Sequence, residues 1–256
     1  MNSKNNNADS RLAVLIDGDN VPSAYVKEML EEVAKYGNPT IKRIYGDFTK
    51  PHLKKWKAML LTNAITPVQQ YAYTRGKNAT DAAMIIDAMD ILYSGKVDSF
   101  CLVSSDSDFT RLATRLREAG KLVIGLGERK TPEPFIVACD RFIYVEILKQ
   151  QKESEEETNE ATDTNKDKKA KTSAVEPING KLVRLIKQAI SDVADDDGWA
   201  FLGDVGSLLQ KRKPTFDARN YGFDKLTPLM RKINGIEIEP RETGKSRSKL
   251  IFVRAK

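Results

Sequence analysis

The sequence alternates short apolar runs with helical patterns over residues 11–148, and two of the apolar runs end in aspartate clusters. Leu12–Ile16 stops at Asp17-Gly18-Asp19-Asn20, and Phe100–Val103 stops at Ser104-Ser105-Asp106-Ser107-Asp108. Strands that alternate with helices form a mostly parallel sheet with helices on both faces. The carboxyl ends of such strands share one edge, where ligands bind. The pattern therefore predicts an open α/β fold with carboxylates gathered at one edge.

The individual elements follow from the same periodicity. Strands are predicted at Arg11–Ile16, Thr40–Tyr45, Thr66–Tyr73, Ser99–Val103, Leu122–Leu126 and Phe142–Ile147. Helices are predicted at Ser23–Tyr36, Leu53–Asn63, Asp81–Tyr93, Phe109–Ala119 and Glu133–Ala138. Glycines at 37, 95 and 120 stand where helices stop, as expected of C-terminal helix caps.

Length and composition limit the class of protein. With 256 residues the chain has room for one ordinary domain and a small one. No apolar run approaches the roughly 20 residues that span a membrane, and the polar N-terminus lacks a signal-peptide core. We therefore expect a cytoplasmic protein without a membrane partner. Cys101 and Cys139 lie in apolar segments and are expected to be buried free thiols.

The chain has a single histidine, His52. This nearly excludes nucleases with paired imidazoles, His-based phosphodiesterases and His/Cys zinc sites. Because His52 follows a proline ahead of a helical pattern, we expect it to be a surface residue at a helix start.

Three segments are predicted: a first domain at 10–149, a linker at 150–176 and a second domain at 177–256. The linker is almost wholly charged and polar, so it is expected to be disordered, with a solvated helix as the alternative. The second domain shows helical patterns at Leu182–Val193, Asp204–Lys211 and Phe223–Ile233, followed by strands at Ile236–Glu239 and Leu250–Arg254. Three helices and a β-hairpin of this size predict a winged helix-turn-helix.

The net charge of +6 resides in the second domain. Residues 177–256 hold 16 Lys and Arg against 10 Asp and Glu, whereas the residues before them hold 26 of each. A local positive excess of this kind indicates a nucleic-acid contact.

The first acidic cluster offers several candidate ligands. Asp17 ends the first strand and is the leading candidate for a metal ligand. Asp19 and Asn20 are either ligands or caps of the next helix. We expect Asn20 to lie near the metal site and Asp19 to cap the next helix or to support the site.

The other carboxylates each have a structural alternative. Asp81 begins a helix, where a negative charge is favourable without any ligand. Asp106 and Asp108 precede the helix at Phe109, and one of them could merely cap it. Asp87 is expected on a solvated helix face or beneath the site. Oxygen-only ligands without imidazole or thiolate suit Mg²⁺ or Mn²⁺, so the sequence predicts a metal-dependent enzyme acting on phosphate esters.

Three motifs make residues 11–148 resemble the NYN domain, a branch of the PIN-like nuclease fold. They are LIDGDN at 15–20, GKNATDAAM at 76–84 and VSSDSDF at 103–109. The resemblance implies a Mg²⁺- or Mn²⁺-dependent ribonuclease whose centre consists of Asp17, Asp81 and Asp106, with Asp108 as a fourth carboxylate. Asn20 and Ser105 would support them. The dipeptide Ala79-Thr80 before Asp81 departs from the family pattern.

The second domain, with NYGFDKL at 220–226, resembles an OST-HTH/LOTUS domain, which implies RNA binding. RNA is preferred over DNA because of this resemblance and not because of charge. A protein partner or self-association stays open. The candidate RNA contacts are Arg75, Lys77, Lys211, Arg212, Lys213, Tyr221, Arg231 and Lys232. Among them, Tyr221 is a candidate to stack on bases.

Two other functions remain as alternatives. One is a non-catalytic RNA-binding adaptor that retains the fold. The other is a haloacid-dehalogenase-like phosphatase, whose opening motif Asp17-Gly18-Asp19-Asn20-Val21 fits. The late acidic pair that this phosphatase family needs is missing after Lys121-Leu122-Val123-Ile124.

Overall fold

The computed structural model describes residues 10–71, 79–148, 175–242 and 249–256. The chain divides into two compact units, whose described parts lie before and after the gap at 149–174. The predicted linker at 150–176 therefore lies outside the described residues except for its last two. Each unit is described by itself.

The first unit is built on a parallel sheet. Its described strands are β1 (Arg11–Asp17), β2 (Asn38–Gly46), β3 (Thr66–Gln69), β4 (Ser99–Val103), β5 (Leu122–Gly127) and β6 (Arg141–Tyr144). They lie in the order β3-β2-β1-β4-β5-β6, and each pairing is parallel. The chain leaves β1 toward β2 on one side and leaves β4 toward β5 on the other. The crevice between β1 and β4 is therefore the topological switch point, where ligands bind in open α/β sheets.

Helices cover both faces of this sheet, as predicted. They are α1 (Val26–Val33), α2 (Lys54–Thr62), α3 (Ala79–Tyr93), α4 (Thr110–Glu118) and α5 (Glu133–Ala138). Successive side chains of a strand point to opposite faces, so Val14 and Ile16 join one core with Met29 and Trp56. Leu15 joins the other core, which includes residues of α3, α4 and α5. Burial on both faces explains why β1 is apolar almost throughout.

Two edge strands are shorter than predicted, for the same reason. The last pairing of β3 joins Gln69 to Gly46, and the last pairing of β6 joins Tyr144 to Gly127. These partners are the final residues of β2 and β5, so each edge strand ends where its neighbour ends.

The second unit contains three helices and a small antiparallel sheet among its described residues. These are α6 (Gly180–Val193), β7 (Ala200–Phe201), α7 (Leu202–Arg212), α8 (Leu226–Lys232), β8 (Ile236–Glu242) and β9 (Lys249–Ala255). The strand order is β7-β9-β8. The third helix starts at Leu226 and not at Phe223, because Gly222 with φ of 80° ends the preceding 3-10 turn in a left-handed conformation.

Within the described residues, none of the helices has both the length and the apolar character needed to cross a bilayer.

Candidate metal centre

The candidate centre lies at the carboxyl edge of the sheet, at the switch point between β1 and β4. Asp17 is the last residue of β1, and Ser104 directly follows β4. Strands β1 and β4 are neighbours, with Ile16 opposite Val103. Residues that follow these two strands are therefore brought together although nearly 90 positions separate them.

Asp17 is fully buried, with 0% of its surface exposed. Its Oδ2 accepts hydrogen bonds from Asn20 Nδ2 at 2.7 Å and Ser104 Oγ at 2.8 Å. Its Oδ1 accepts one from the Asp19 backbone N at 3.2 Å. Burial raises the pKa of Asp17, and the hydrogen bonds from Asn20 and Ser104 oppose that shift. A cation nearby would favour the charged form.

The carboxylates of Asp81, Asp106 and Asp108 lie together. One oxygen of each lies within 4.8 Å of the others. Asp81 lies in the first turn of α3, while Asp106 and Asp108 belong to the turn before α4. The Asp106 side chain also accepts a hydrogen bond from Asp108 N at 2.9 Å, so it caps that turn as well. Asp106 therefore caps this turn and also belongs to the group of three carboxylates.

Asp17 is outside this group of three, but it is close to Asp81. Burial and then the charges of Asp17, Asp106 and Asp108 raise the pKa of Asp81 to about 6. Among the neighbouring charges, that of Asp17 has the largest effect. Four carboxylates therefore repel one another at one edge, and proximity of this kind disfavours their joint ionisation.

The donor set suits a hard divalent cation. Two ligand oxygens on opposite sides of a Mg²⁺ ion at about 2.1 Å lie about 4.2 Å apart. The three carboxylate oxygens lie within 4.8 Å of one another, so small side-chain adjustments would bring them around one such ion. All of the donors are oxygens, which favours Mg²⁺ or Mn²⁺ over metals that prefer nitrogen or sulfur.

Asp19 is a supporting residue with three partners. Its Oδ1 lies 3.0 Å from His52 Nε2 and 3.7 Å from Lys50 Nζ. Its Oδ2 accepts a hydrogen bond from Thr80 Oγ1 at 3.2 Å, and Thr80 immediately precedes Asp81. Asp19 thus joins the segment before α2 to the start of α3. The sequence interpretation missed the role of His52, because the contact is 33 positions away.

Ser105 does not contact the carboxylates through a described hydrogen bond. Its hydroxyl accepts a hydrogen bond from the Glu128 backbone N at 2.9 Å, toward β5. Ser104, which the sequence interpretation had not chosen, donates to Asp17 instead. Ser104 therefore hydrogen-bonds to the end of β1, and Ser105 hydrogen-bonds to the residue that follows β5.

Two further aspartates near this edge have structural partners. Asp47 directly follows β2, is 7% exposed and accepts hydrogen bonds from Thr49 and Gln69. Asp87 bonds to Arg43 and Tyr45, so it does not lie on a solvated helix face.

The candidate RNA contacts are placed unevenly. Arg75 and Lys77 lie outside the described residues. Lys211, Arg231 and Lys232 are exposed, so they are open to a ligand. Arg212 is paired with Asp192, and Lys213 lies between Tyr221 Oη, at 2.9 Å, and Glu176, at 3.6 Å.

Tyr221 requires a correction. Its side chain was expected to stack on bases, but the residue is only 5% exposed and packs against Phe216 with 6.3 Å between ring centroids. The Tyr221 ring belongs to the core of the second unit, so it offers no face to a base.

The comparisons with known proteins agree with this architecture. Residues 11–148 match the NYN domain, and residues 175–248 match the OST-HTH/LOTUS domain. The class is thus a PIN-like nuclease domain joined to a domain of an RNA-binding family. Because the first match covers more than half of the sequence, the chain belongs to the NYN domain family.

Four similar proteins bear names that state no function. An uncharacterized protein of Methanocaldococcus jannaschii is 25% identical over 123 residues, which are 46% of this chain and 48% of that protein. The chain thus spans about half the length of this curated relative.

Three solved structures are also similar. A protein of unknown function from Vibrio parahaemolyticus is 21% identical with a TM-score of 0.45, covering 56% of this chain and 96% of that one. An uncharacterized protein from Nitrosomonas europaea is 28% identical with a TM-score of 0.30, covering 38% and 91%. A protein from Chromobacterium violaceum is 32% identical with a TM-score of 0.26, covering 30% and 82%.

Proposed function

We infer that the protein is a metal-dependent ribonuclease that cuts RNA internally at the carboxyl edge of the first unit. One observation carries this inference. Three carboxylates with oxygens within 4.8 Å of one another lie beside the buried Asp17, in a domain of a nuclease family. This cluster has an electrostatic cost that a bound divalent cation would offset.

The cation would be Mg²⁺ or Mn²⁺, which supplies a Lewis acid that lowers the pKa of water and stabilises charge on a leaving oxygen. Asp81, Asp106 and Asp108 would hold it. Asp81, with its pKa raised to about 6, must be deprotonated to serve as a ligand. Asp17 adds a buried negative charge beside Asp81 and is oriented by Asn20 and Ser104.

The chain's only histidine, His52, does not belong to the cluster formed by Asp81, Asp106 and Asp108. Its Nε2 contacts Asp19 instead. No imidazole is therefore positioned with the three carboxylates to accept a proton from water. A bound cation would therefore supply most of the activation of water.

The second unit would capture RNA. It holds the positive excess of the chain, and it matches an RNA-binding domain family. Exposed Lys211, Arg231 and Lys232 are the phosphate contacts that we propose. Because both domains lie on one chain, RNA held by the second raises its effective concentration at the first.

The geometry of Asp17 argues against a phosphatase with an aspartyl-phosphate intermediate. That mechanism needs an accessible carboxylate as nucleophile. Asp17 is 0% exposed, and both of its oxygens already accept hydrogen bonds.

The test is cleavage of a labelled, partly structured RNA by the purified full chain with Mn²⁺, Mg²⁺ or EDTA, alongside Asp17→Asn and Asp106→Asn. We expect cleavage that needs a metal and is lost in both variants. Cleavage that survives both substitutions would contradict the site. An intact RNA that is bound but never cut would instead identify an RNA-binding adaptor.

A further inference from the structure

An open groove of about 300 Å³ is lined by the residues that directly follow Asp17. One side is formed by the segment that follows β1, and the other by the segment that begins α2. The groove thus starts one residue after Asp17. The lining residues that matter here are Gly18, Asp19, Asn20, His52, Lys55 and Trp56.

The floor of the groove is fixed. Trp56 is 1% exposed, and its Nε1 donates a hydrogen bond to the Val21 carbonyl at 3.1 Å. At Gly18 a Cβ atom would come within 2.9 Å of the Tyr45 carbonyl oxygen, so the chain passes close to β2 here. A groove with such a floor is preformed, which lowers the entropic cost of binding.

The rim between the groove and the centre is a charged contact. His52 and Lys50 both approach Asp19 Oδ1, at 3.0 and 3.7 Å. The carboxylate of Asp19 also reaches Thr80, beside Asp81. Asp19 thus lines the groove and also contacts the residue that precedes Asp81.

The charges on the two sides of this rim are opposite. The centre is made of carboxylates, which repel a polyanion in the absence of a cation. The groove side carries the exposed Lys55 and the half-exposed side chain of His52. These groups offer a cation and a planar ring, which are the groups that hold a phosphate and a base.

We propose that this groove holds one unpaired nucleotide of the RNA, next to the bond that is cut. Lys55 contacts its phosphate, and the imidazole of His52 lies against its base. The proposal rests on the proposed ribonuclease function, and it adds a nucleotide site to it: the groove beside Asp19 with Lys55 and His52.

The size of the groove favours a single nucleotide. Its volume of about 300 Å³ lies at the lower end of the range of small-ligand sites. A paired base cannot leave its duplex without a cost of unpairing and unstacking. An unpaired nucleotide in a loop or a single strand can turn its base outward without that cost.

The experiment uses the full chain and a single-stranded RNA that carries 4-thiouridine, in Ca²⁺ and under near-ultraviolet light. We compare the parent, His52→Ala, Lys55→Ala and Lys57→Ala. Lys57 is the matched control, because it is an exposed lysine of the same helix that does not line the groove. The measurements are the cross-linked positions, and KM and kcat for the same RNA in Mn²⁺.

We expect cross-links within residues 50–56 of the parent. In Lys55→Ala these should fall and KM should rise about tenfold, as for the loss of one contact to a charged group. We expect kcat to stay within about twofold, because Lys55 is not placed at the carboxylates. His52→Ala should raise KM in the same direction, whereas Lys57→Ala should behave like the parent.

Two results would contradict the proposal that the groove binds a nucleotide. One is cross-linking confined to residues 175–256. The other is equal behaviour of Lys55→Ala and Lys57→Ala. If the parent protein cross-links within residues 50–56 but never cuts RNA, the ribonuclease function is contradicted, and the groove is still supported as a nucleotide site.

Discussion

The Ser104 hydroxyl donates a hydrogen bond to Asp17 Oδ2 at 2.8 Å and accepts one from the Asp106 backbone N at 3.1 Å. Ser104 is fully buried, and it connects the end of β1 to the turn after β4. One side chain thus orients the buried carboxylate of Asp17 and the turn that carries two of the three clustered carboxylates, Asp106 and Asp108.

Ser104→Ala should therefore weaken metal binding. Loss of the hydroxyl leaves part of Asp17 without a donor, which costs about 1–3 kcal/mol in stability for a buried polar group. Ser105→Ala is the control, because it removes the neighbouring hydroxyl but spares Asp17. Calorimetric Mn²⁺ titration and urea unfolding measure both effects. Equal losses of Mn²⁺ affinity in the two variants would contradict the assigned role of Ser104.

Asp81→Asn should stabilise the metal-free protein at a pH above the folded-state pKa of Asp81, which is about 6. The pKa of Asp81 is raised to about 6 in the folded chain, against about 3.9 when unfolded. The folded state therefore binds more protons between these values, so metal-free stability falls as pH rises through this window. The variant lacks this effect.

In EDTA we expect the melting temperature of Asp81→Asn to exceed that of the parent at pH 7.5 and to approach it near pH 4. With saturating Mn²⁺ the order should reverse, because only the parent keeps all three ligands. Asp90→Asn, an exposed residue of the same helix, is the control. A destabilised Asp81→Asn at pH 7.5 in EDTA would argue against repulsion within the cluster.

Gly127→Ala should damage the site from the β5 side. A Cβ atom at Gly127 would lie 2.5 Å from the Ser104 carbonyl oxygen and 2.9 Å from Thr131 Oγ1. Since a backbone atom cannot yield cheaply, we expect a loss of about 1–3 kcal/mol together with reduced cleavage. Gly180→Ala, where a Cβ would meet nothing within 4 Å, should leave both unchanged or slightly improved. Chemical denaturation and cleavage rates give the comparison, and a fully stable Gly127→Ala would be inconsistent with this packing.

Tyr221→Ala should affect stability more than RNA binding. The ring is 5% exposed and lies in the core of the second unit, so truncation should cost about 3–5 kcal/mol. Lys232→Ala, at an exposed position, should leave stability unchanged, weaken RNA binding and lower its salt dependence by about one unit of slope. Urea unfolding and filter binding at several salt concentrations separate the two. A stable Tyr221→Ala with weak RNA binding would restore the stacking role.

Much of the fold follows from local patterns in the sequence. Ser99–Val103 and Glu133–Ala138 were predicted with the bounds that the structure shows, because apolar runs and helical periods are local signals. The ends of β3 and β6 were not predicted correctly, because they depend on where a neighbouring strand stops.

The same distinction applies to the site. Asp17 and Asp106 could be chosen from sequence because each follows an apolar strand. Ser104, His52 and Asp47 were missed as contributors to this edge, since each has a partner 22 to 87 positions away that leaves no local pattern. Tyr221 was misjudged because an aromatic residue in a basic segment looks the same in sequence whether its ring is buried or exposed.

The central claim is internal, metal-dependent cleavage of RNA by the clustered carboxylates. A circular single-stranded RNA tests it most directly, because such a substrate has no ends. We would incubate it with the parent, Asp108→Asn and Asp90→Asn in Mn²⁺, and repeat the parent in EDTA. The account predicts linear product from the parent and Asp90→Asn in Mn²⁺, and none from Asp108→Asn or in EDTA. Linear product from Asp108→Asn at the parental rate, or from the parent in EDTA, would contradict it.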